Sequence, residues 1–269
     1  MNDFLNDGYF ISKNSLTLNE LNLVEDSFKN FKFDNKFVFD PFIKNPKMSN
    51  ILFNNKLISD IESILGKNFI ILPDTSLHLG RRNVNHTDYT SLLANDIRLF
   101  DYEDDFKMVT IGTYLQDSKG GNGLNVTPQS HLNPDFYLKY RRVQFYNKLL
   151  NLSRKLLPEV IYKYIHPHNF SGIDVDSRRG DSIIFDIKIN HRSQYKKFPF
   201  DFFPDNKPRK AVFHRACSNH PEISCKYIEY LKSKNGYDYL SDLNRSIPPS
   251  IISKSQKYNV KILWDMIKE

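Results

Sequence analysis

The chain has 269 residues, 40% apolar and 14% aromatic, enough to bury a large core and too many for an intrinsically disordered protein. No stretch approaches the length of a membrane span, no basic segment followed by an apolar run opens the sequence, and two cysteines, Cys217 and Cys225, are too few for a disulfide framework. The net charge of +7 is spread over a chain crowded with asparagine and isoleucine, without a run of like charges that would mark a basic tail, so nucleic acid is a disfavoured partner. These features predict a soluble, cytoplasmic protein with free thiols. They leave its oligomeric state open.

Asp7-Gly8-Tyr9-Phe10-Ile11 reads as a turn entering a short apolar run. Thr17 and Glu20 form a capping box, with Leu21, Val24 and Phe28 at helical spacing behind it, which predicts a helix from about residue 18. Leu57, Ile58, Ile61 and Leu65 make a second amphipathic stripe, and Gly66 is placed to stop it. From Phe69 the period changes to that of strands, in Phe69-Ile70-Ile71-Leu72, in Ser76-Leu77-His78-Leu79 and again from Met108 to Leu115. The run from Gln116 to Leu124 is dense in glycine and asparagine and has the form of a hairpin turn leading to Pro128-Gln129-Ser130-His131. Residues 135–157 carry an apolar stripe with a basic opposite face, predicting a helix that Pro158 ends; a solvated face accounts for those charges.

Strand patterns return at 160–165, 172–175 and 181–189, which places His191 just past the end of a buried strand. Arg209 to Arg215 is a further extended stretch beyond an aromatic, proline-rich loop, and the remainder from Pro221 is expected to be mostly helical, with Val260, Leu263 and Ile267 among its apolar positions. His131 reads as a turn residue rather than a ligand, and His166-Pro167-His168 as a loop rather than a zinc half-site. The Phe198–Phe203 loop could line a substrate lid or simply bury itself.

The candidate chemistry begins at Asn85-His86-Thr87-Asp88. In an extended run the side chains of His86 and Asp88 share one face, offering one nitrogen and one oxygen ligand. A second histidine would complete the 2-His-1-carboxylate set that suits non-haem Fe(II) and leaves coordination positions open. An isolated H-x-D pair is common on protein surfaces, so its context decides.

That context resembles the phytanoyl-CoA dioxygenase family of Fe(II)- and 2-oxoglutarate-dependent oxygenases, from Asp7-Gly8-Tyr9 to about Arg215. The resemblance is carried by the opening turn and its helix, by the H-x-D, by Tyr114-Leu115-Gln116-Asp117 through Asn122-Gly123-Leu124 to Pro128-Gln129-Ser130-His131, and by Gly180-Asp181-Ser182-Ile183-Ile184-Phe185-Asp186 followed by His191-Arg192-Ser193. Gln116 and Gln129 depart from the family pattern. The resemblance implies a mainly β fold with flanking helices, a double-stranded β-helix of the jelly-roll, cupin-like kind, in a single domain. Its parts would be a helical N-terminal part (1–67), a β-helix core (about 68–216) with a helical insertion (about 135–157), and a helical C-terminal extension (about 221–269).

By the same resemblance His86, Asp88 and His191 would bind Fe(II), and Arg209 with Ser193 would bind 2-oxoglutarate, Arg215 being the fallback because the segment between His191 and Arg209 is long for the family. A bidentate pair with the distal carboxylate suits the planar guanidinium. His78, Arg81 and Tyr114 are candidates for the substrate pocket. The implied reaction uses dioxygen and decarboxylates 2-oxoglutarate to succinate while hydroxylating an unactivated C–H bond of a small molecule; Asp88 stands where related halogenases carry a small residue. The Arg81-Arg82 pair and the basic helix make an anionic metabolite plausible. A non-catalytic jelly-roll binding module and an oxygenase acting on nucleic acid are the alternatives.

Overall fold

The computed structural model describes residues 2–33, 37–80, 88, 99–101, 105–118, 122–132, 172–194, 209–234, 240 and 247–263. Local signals set the helices. The chain opens on the short helix α1 (Asn2–Asp7). In α2 (Leu18–Asn30) the Thr17 hydroxyl accepts from the Glu20 amide while the Glu20 carboxylate accepts from the Thr17 amide, so the expected capping box is present. A four-residue helix, α3 (Pro41–Lys44), and a 3-10 turn (Pro46–Ile51) follow. In α4 (Asn55–Leu65) the Asn54 side chain accepts from the amides of Lys56 and Leu57, and Gly66 closes the helix at φ +86°. Its stripe of Leu57, Ile58, Ile61 and Leu65 is buried, each such side chain contributing roughly 1.5–3 kcal/mol.

Among the described residues ten strands form two sheets. In the larger, β1 (Tyr9–Ser12), β7 (Ser182–Asp186), β4 (Met108–Tyr114), β9 (Lys210–Cys217) and β3 (Ile70–Leu79) lie side by side, and the far edge of β3 takes both β10 (Lys261–Ile262) and β2 (Phe37–Phe39). The smaller sheet has the order β6 (Ile173–Asp174), β5 (Leu124–Thr127), β8 (Asn190–Ser193). From β4 onward the chain passes from the larger sheet to the smaller for β5 and β6, back for β7, across for β8 and back for β9.

Register decides what each face carries. Thr110 lies opposite Arg215 and Phe185, Gly112 opposite Phe213 and Ile183, Tyr114 opposite Ala211, and Ser76 and His78 opposite Phe213 and Ala211. With side chains alternating by period two, these residues share the face turned toward the smaller sheet. Val109, Ile111, Ile184, Val212 and Ala216 share the other, where they pack against α2 and α4 in one apolar cluster. Tyr114, Leu124, Val126, Ile183, Phe185 and Ala211 form the core between the sheets. A third cluster joins α5 (Pro221–Lys232) to Ile70, Met108 and Cys217.

Several expectations are corrected. The glycine-rich turn after β4 does not make a hairpin, because β4 pairs with β7 and β9 while β5 pairs with β6 and β8. Gln116 Oε1 accepts from the Lys210 amide at its start and Gln194 Oε1 from the Gly123 amide at its end, so the crossing is tied to the start of β9 and to the residue after β8. The strand expected over 181–189 stops at Asp186, where the Asp186 side chain and carbonyl accept from the amides of Lys188 and Ile189 and turn the chain into β8. His191 therefore sits within a strand of the opposite sheet rather than past a strand end. The two short runs at 69–79 are one strand, irregular between Ile71 and Thr75, where Pro73 has no N–H to offer the ladder. After α6 (Pro249–Lys257), Lys261 and Ile262 pair in parallel with β3 instead of continuing as helix. The helix expected over 135–157, the strand at 160–165, His166-Pro167-His168 and the Phe198–Phe203 loop lie outside the described residues.

Gly8, at φ +80°, lies against the His131 imidazole so closely that an added Cβ would come within 2.4 Å of Nδ1. Its carbonyl accepts from the Asp186 amide, and His131 Nε2 lies 3.2 Å from the Leu5 carbonyl. His131 thus joins the N-terminal segment to the smaller sheet. On the helix side of the larger sheet His214 is fully buried near Phe42, and burial lowers its pKa from 6.5 to about 3. The unfolded chain gains this proton near pH 6.5 and the folded one only near 3, so the unfolded state binds more protons between them and stability falls as the pH drops through that window. From pH 7 to pH 5 the loss from this group is on the order of 2 kcal/mol. Urea unfolding at the two pH values should show that loss in the wild type and a flatter response in His214→Leu.

Candidate metal centre

A cavity of about 550 Å³ opens between the sheets, and His78, Asp88, His191, Ser193, Arg209 and Arg215 line it. Of the residues singled out in the sequence, these six share one space. His86 and Arg81 lie outside the described residues. Tyr114 does not line the cavity; it is wholly buried behind Arg209, its ring centroid 5.5 Å from the guanidinium carbon.

His191 owes its position to β8, whose register sets it opposite Val126 and Ser193 opposite Leu124, so both side chains face the larger sheet. Its ring tilts against Phe185, the centroids 4.8 Å apart. Nδ1 lies 3.1 Å from the Ile189 carbonyl, an acceptor only, so Nδ1 carries the proton and donates. The neutral ring in that tautomer presents its lone pair at Nε2, the arrangement by which a carbonyl orients a metal-binding histidine.

Asp88 is helical, not part of the extended run expected from the sequence, and Thr110 and Arg215 are among the neighbours that hold it. The Thr110 hydroxyl donates to Oδ2 at 2.9 Å and Arg215 Nη2 lies 3.0 Å from the same oxygen, with the Asp88 side chain 14% exposed. A nitrogen and a carboxylate oxygen facing one cavity fit a divalent metal of the Fe(II), Mn(II) or Zn(II) class. Among the described residues no three His, Cys, Asp or Glu side chains converge, and His86 lies outside them.

Arg209, directly before β9, continues the inward parity of Ala211, Phe213 and Arg215. Its Nε donates to the Gly80 carbonyl at 3.1 Å and Nη1 to the Gly123 carbonyl at 3.3 Å. Gly123 adjoins Leu124, the partner of Ser193, so Arg209 and Ser193 belong to the same end of the cavity. Burial raises the Tyr114 pKa against the opposing pull of Arg209, which keeps the phenol protonated and the cation uncompensated by it. Arg215 is committed elsewhere: it pairs with Asp74 and Asp88 and bonds Tyr227. At the other end His78 Nε2 bonds the Ser76 hydroxyl at 2.8 Å, and its ring packs on Phe37 and Phe213 at centroid distances of 4.7 and 4.5 Å.

Sequence reasoning missed Asp74, Thr110 and Tyr227. Asp74 was detectable, since Asp74, Ser76 and His78 put polar side chains on one face of a strand that is mostly apolar elsewhere. Tyr227 carried no signal, being one apolar position in an amphipathic helix.

The sequence matches no protein-family model and no curated protein. Solved structures do share the fold. SnoN, the epimerase crystallised with Fe3+, alpha ketoglutarate and nogalamycin RO, is 12% identical with a TM-score of 0.53, covering 81% of both chains. SnoK, a non-heme alpha ketoglutarate dependent carbocyclase from nogalamycin biosynthesis, is 11% identical with a TM-score of 0.54, over 81% of this chain and 82% of its own. EctD from S. alaskensis, solved with 2-oxoglutarate and 5-hydroxyectoine, is 16% identical with a TM-score of 0.51, over 81% of this chain and 74% of its own. The architecture, mainly β with helices packed on one sheet, is thus that of structures that hold iron and 2-oxoglutarate.

Proposed function

We propose that the protein is an Fe(II)- and 2-oxoglutarate-dependent oxygenase of the phytanoyl-CoA dioxygenase kind, a single double-stranded β-helix domain that hydroxylates an unactivated C–H bond of a small molecule with dioxygen. The observation that carries this reading is the meeting of Asp88, His191 and Arg209 in one cavity, although they come from distant parts of the chain. The strand path supports the β-helix, since consecutive strands from β4 to β9 cross repeatedly between the facing sheets.

His86, Asp88 and His191 would hold the iron, and Arg209 and Ser193 the distal carboxylate of 2-oxoglutarate. Bound together, iron and 2-oxoglutarate would activate dioxygen, the oxidant, with 2-oxoglutarate giving up two electrons as it is decarboxylated to succinate. The chain's own residues bind, orient and exclude water. Arg209 sits in a buried pocket where a guanidinium gains most from a carboxylate, and Ile189 fixes the tautomer of His191. Phe37, Phe39 and Phe213, with the Ser76–His78 pair, form the wall left for substrate, an apolar surface with one hydrogen-bonding point. The occupied pockets of SnoN and EctD support a small-molecule substrate. No helix among the described residues is long and apolar enough to cross a membrane; a cytoplasmic location is part of this proposal.

Purified protein given Fe(II), ascorbate, oxygen and 2-oxoglutarate should form succinate, slowly without substrate and faster with the right one. Failure to bind 2-oxoglutarate in the presence of Mn(II) and absence of succinate would together sink the reading.

A further inference from the structure

One side chain at the centre of the cavity has a role that neither metal binding nor co-substrate binding assigns. Arg215 spreads its guanidinium over four partners: Nε donates to the Thr110 hydroxyl at 3.2 Å, Nη2 lies 3.0 Å from Asp88 Oδ2, and Nη1 reaches both Asp74 Oδ2 and the Tyr227 hydroxyl. Tyr227 in turn donates to Asp74 Oδ2 at 2.7 Å. Thr110 closes the loop by donating to Asp88 Oδ2 at 2.9 Å. The network joins β3, β4 and β9 to α5, the helix that follows β9.

We infer that Arg215 is a positioning residue for Asp88, clamped by Asp74 and Tyr227 so that the carboxylate is already turned to receive a metal through Oδ1. The inference rests on the oxygenase reading above. An aspartate side chain has two torsions, and a metal site needs one of its oxygens held at a set place. Here two donors converge on the same oxygen, Oδ2, which settles the rotation of the carboxylate about its own axis. The donors are themselves fixed. Thr110 stands on the middle strand of the larger sheet, and Asp74 and Tyr227 are almost fully buried. A lysine could not do this, since a single ammonium cannot present three nitrogens in a plane to three sides. Charge gives a second reason: Asp74 and Asp88 share one guanidinium, so these three groups keep a formal net negative charge that a divalent cation can match. Outer partners of this kind govern metal affinity because they orient the ligands that touch the metal.

The test uses the full-length protein and Mn(II), titrated by calorimetry and by loss of the free-ion electron paramagnetic signal. The double variant Asp74→Asn/Arg215→Met removes the clamp without leaving a buried unpaired charge, and Tyr227→Phe deletes one hydroxyl. Mn(II) affinity is expected to fall about 10- to 100-fold in the double variant and by a smaller factor in Tyr227→Phe, at unchanged 2-oxoglutarate affinity under saturating metal. In turnover the metal concentration for half-maximal rate should rise while kcat at saturating metal stays within a few-fold of wild type. A clamp that only supports the fold would lower Tm and leave Mn(II) affinity of the folded protein alone; that outcome overturns the inference. Should the double variant not fold, Tyr227→Phe decides, and an unchanged affinity there overturns it equally. A wild type that binds no Mn(II) overturns the oxygenase reading and this inference together, whereas a wild type that binds it and variants that bind it equally overturn the inference alone.

Discussion

Replacing Asp88 with alanine is expected to lower 2-oxoglutarate decarboxylation more than about 100-fold and to weaken Mn(II) binding by a similar factor, since losing even an outer partner of a metal ligand costs about 10–100-fold. The variant should still fold. Its carboxylate is partly exposed, and the cation it leaves behind, Arg215, keeps Asp74 as a buried counter-ion. Thr110 keeps its bond from Arg215 Nε. The result is therefore readable as a change at the site, provided Tm stays within a few degrees of wild type. Asp88→Asn sharpens the comparison, because the amide keeps shape and one oxygen but loses the charge that matches a dication; its affinity should lie between the two. Metal affinity unchanged in Asp88→Ala would remove the carboxylate from the ligand set.

The second large effect is expected at Arg209. Arg209→Lys should raise the KM for 2-oxoglutarate about 10- to 100-fold with a much smaller change in kcat, the equivalent of a charge-assisted pair worth roughly 1.5–3 kcal/mol. The guanidinium ties the Gly80 and Gly123 carbonyls while facing the cavity, three directions that a single ammonium cannot serve. Because those carbonyls are left without their donor, Tm should drop as well, so affinity has to be measured on protein shown to be folded. If KM is unmoved in Arg209→Lys and rises instead in Arg215→Lys, the co-substrate is held by the other arginine. The geometry argues against that exchange, since Arg215 already serves two carboxylates, Asp74 and Asp88, whereas Arg209 donates to the Gly80 and Gly123 carbonyls.

These two variants probe different ends of one cavity. In the proposed reading Asp88 would act on metal, Arg209 on the organic acid, and the Arg215 clamp on metal again but only through Asp88. A set of measurements in which metal affinity and 2-oxoglutarate affinity move independently would match that division.

Much of this arrangement is legible in the residues. Thr17 and Glu20 announce the start of α2, Gly66 the end of α4, and alternation from Phe69 onward the strands, because capping and side-chain period are properties of neighbours in sequence. Asp88, His191 and Arg209, which the resemblance leads one to expect together, line one cavity, while His86 lies outside the described residues. The short strand Phe37–Phe39 went unread, although Phe-Val-Phe has strand propensity, because three residues are too few to show a period.

Pairing was another matter. Nothing local in Leu124–Thr127 says that it joins Ile173–Asp174 and Asn190–Ser193 rather than the strand just before it, and the glycine-rich turn pointed to a hairpin that does not form. Lys261 and Ile262 read as helix because their apolar neighbours fit that period, yet the open edge of β3 takes them as strand. Asp74, Thr110, Arg215 and Tyr227 look like unrelated polar residues until strand register and the packing of α5 bring them onto one carboxylate. Local chemistry dictates where an element begins, which way its side chains alternate and which residue types can bind a metal. Which strands become neighbours, and so which charges must share a buried space, depends on hydrogen bonds and packing between segments far apart in sequence, and those form only when the whole chain closes on its core.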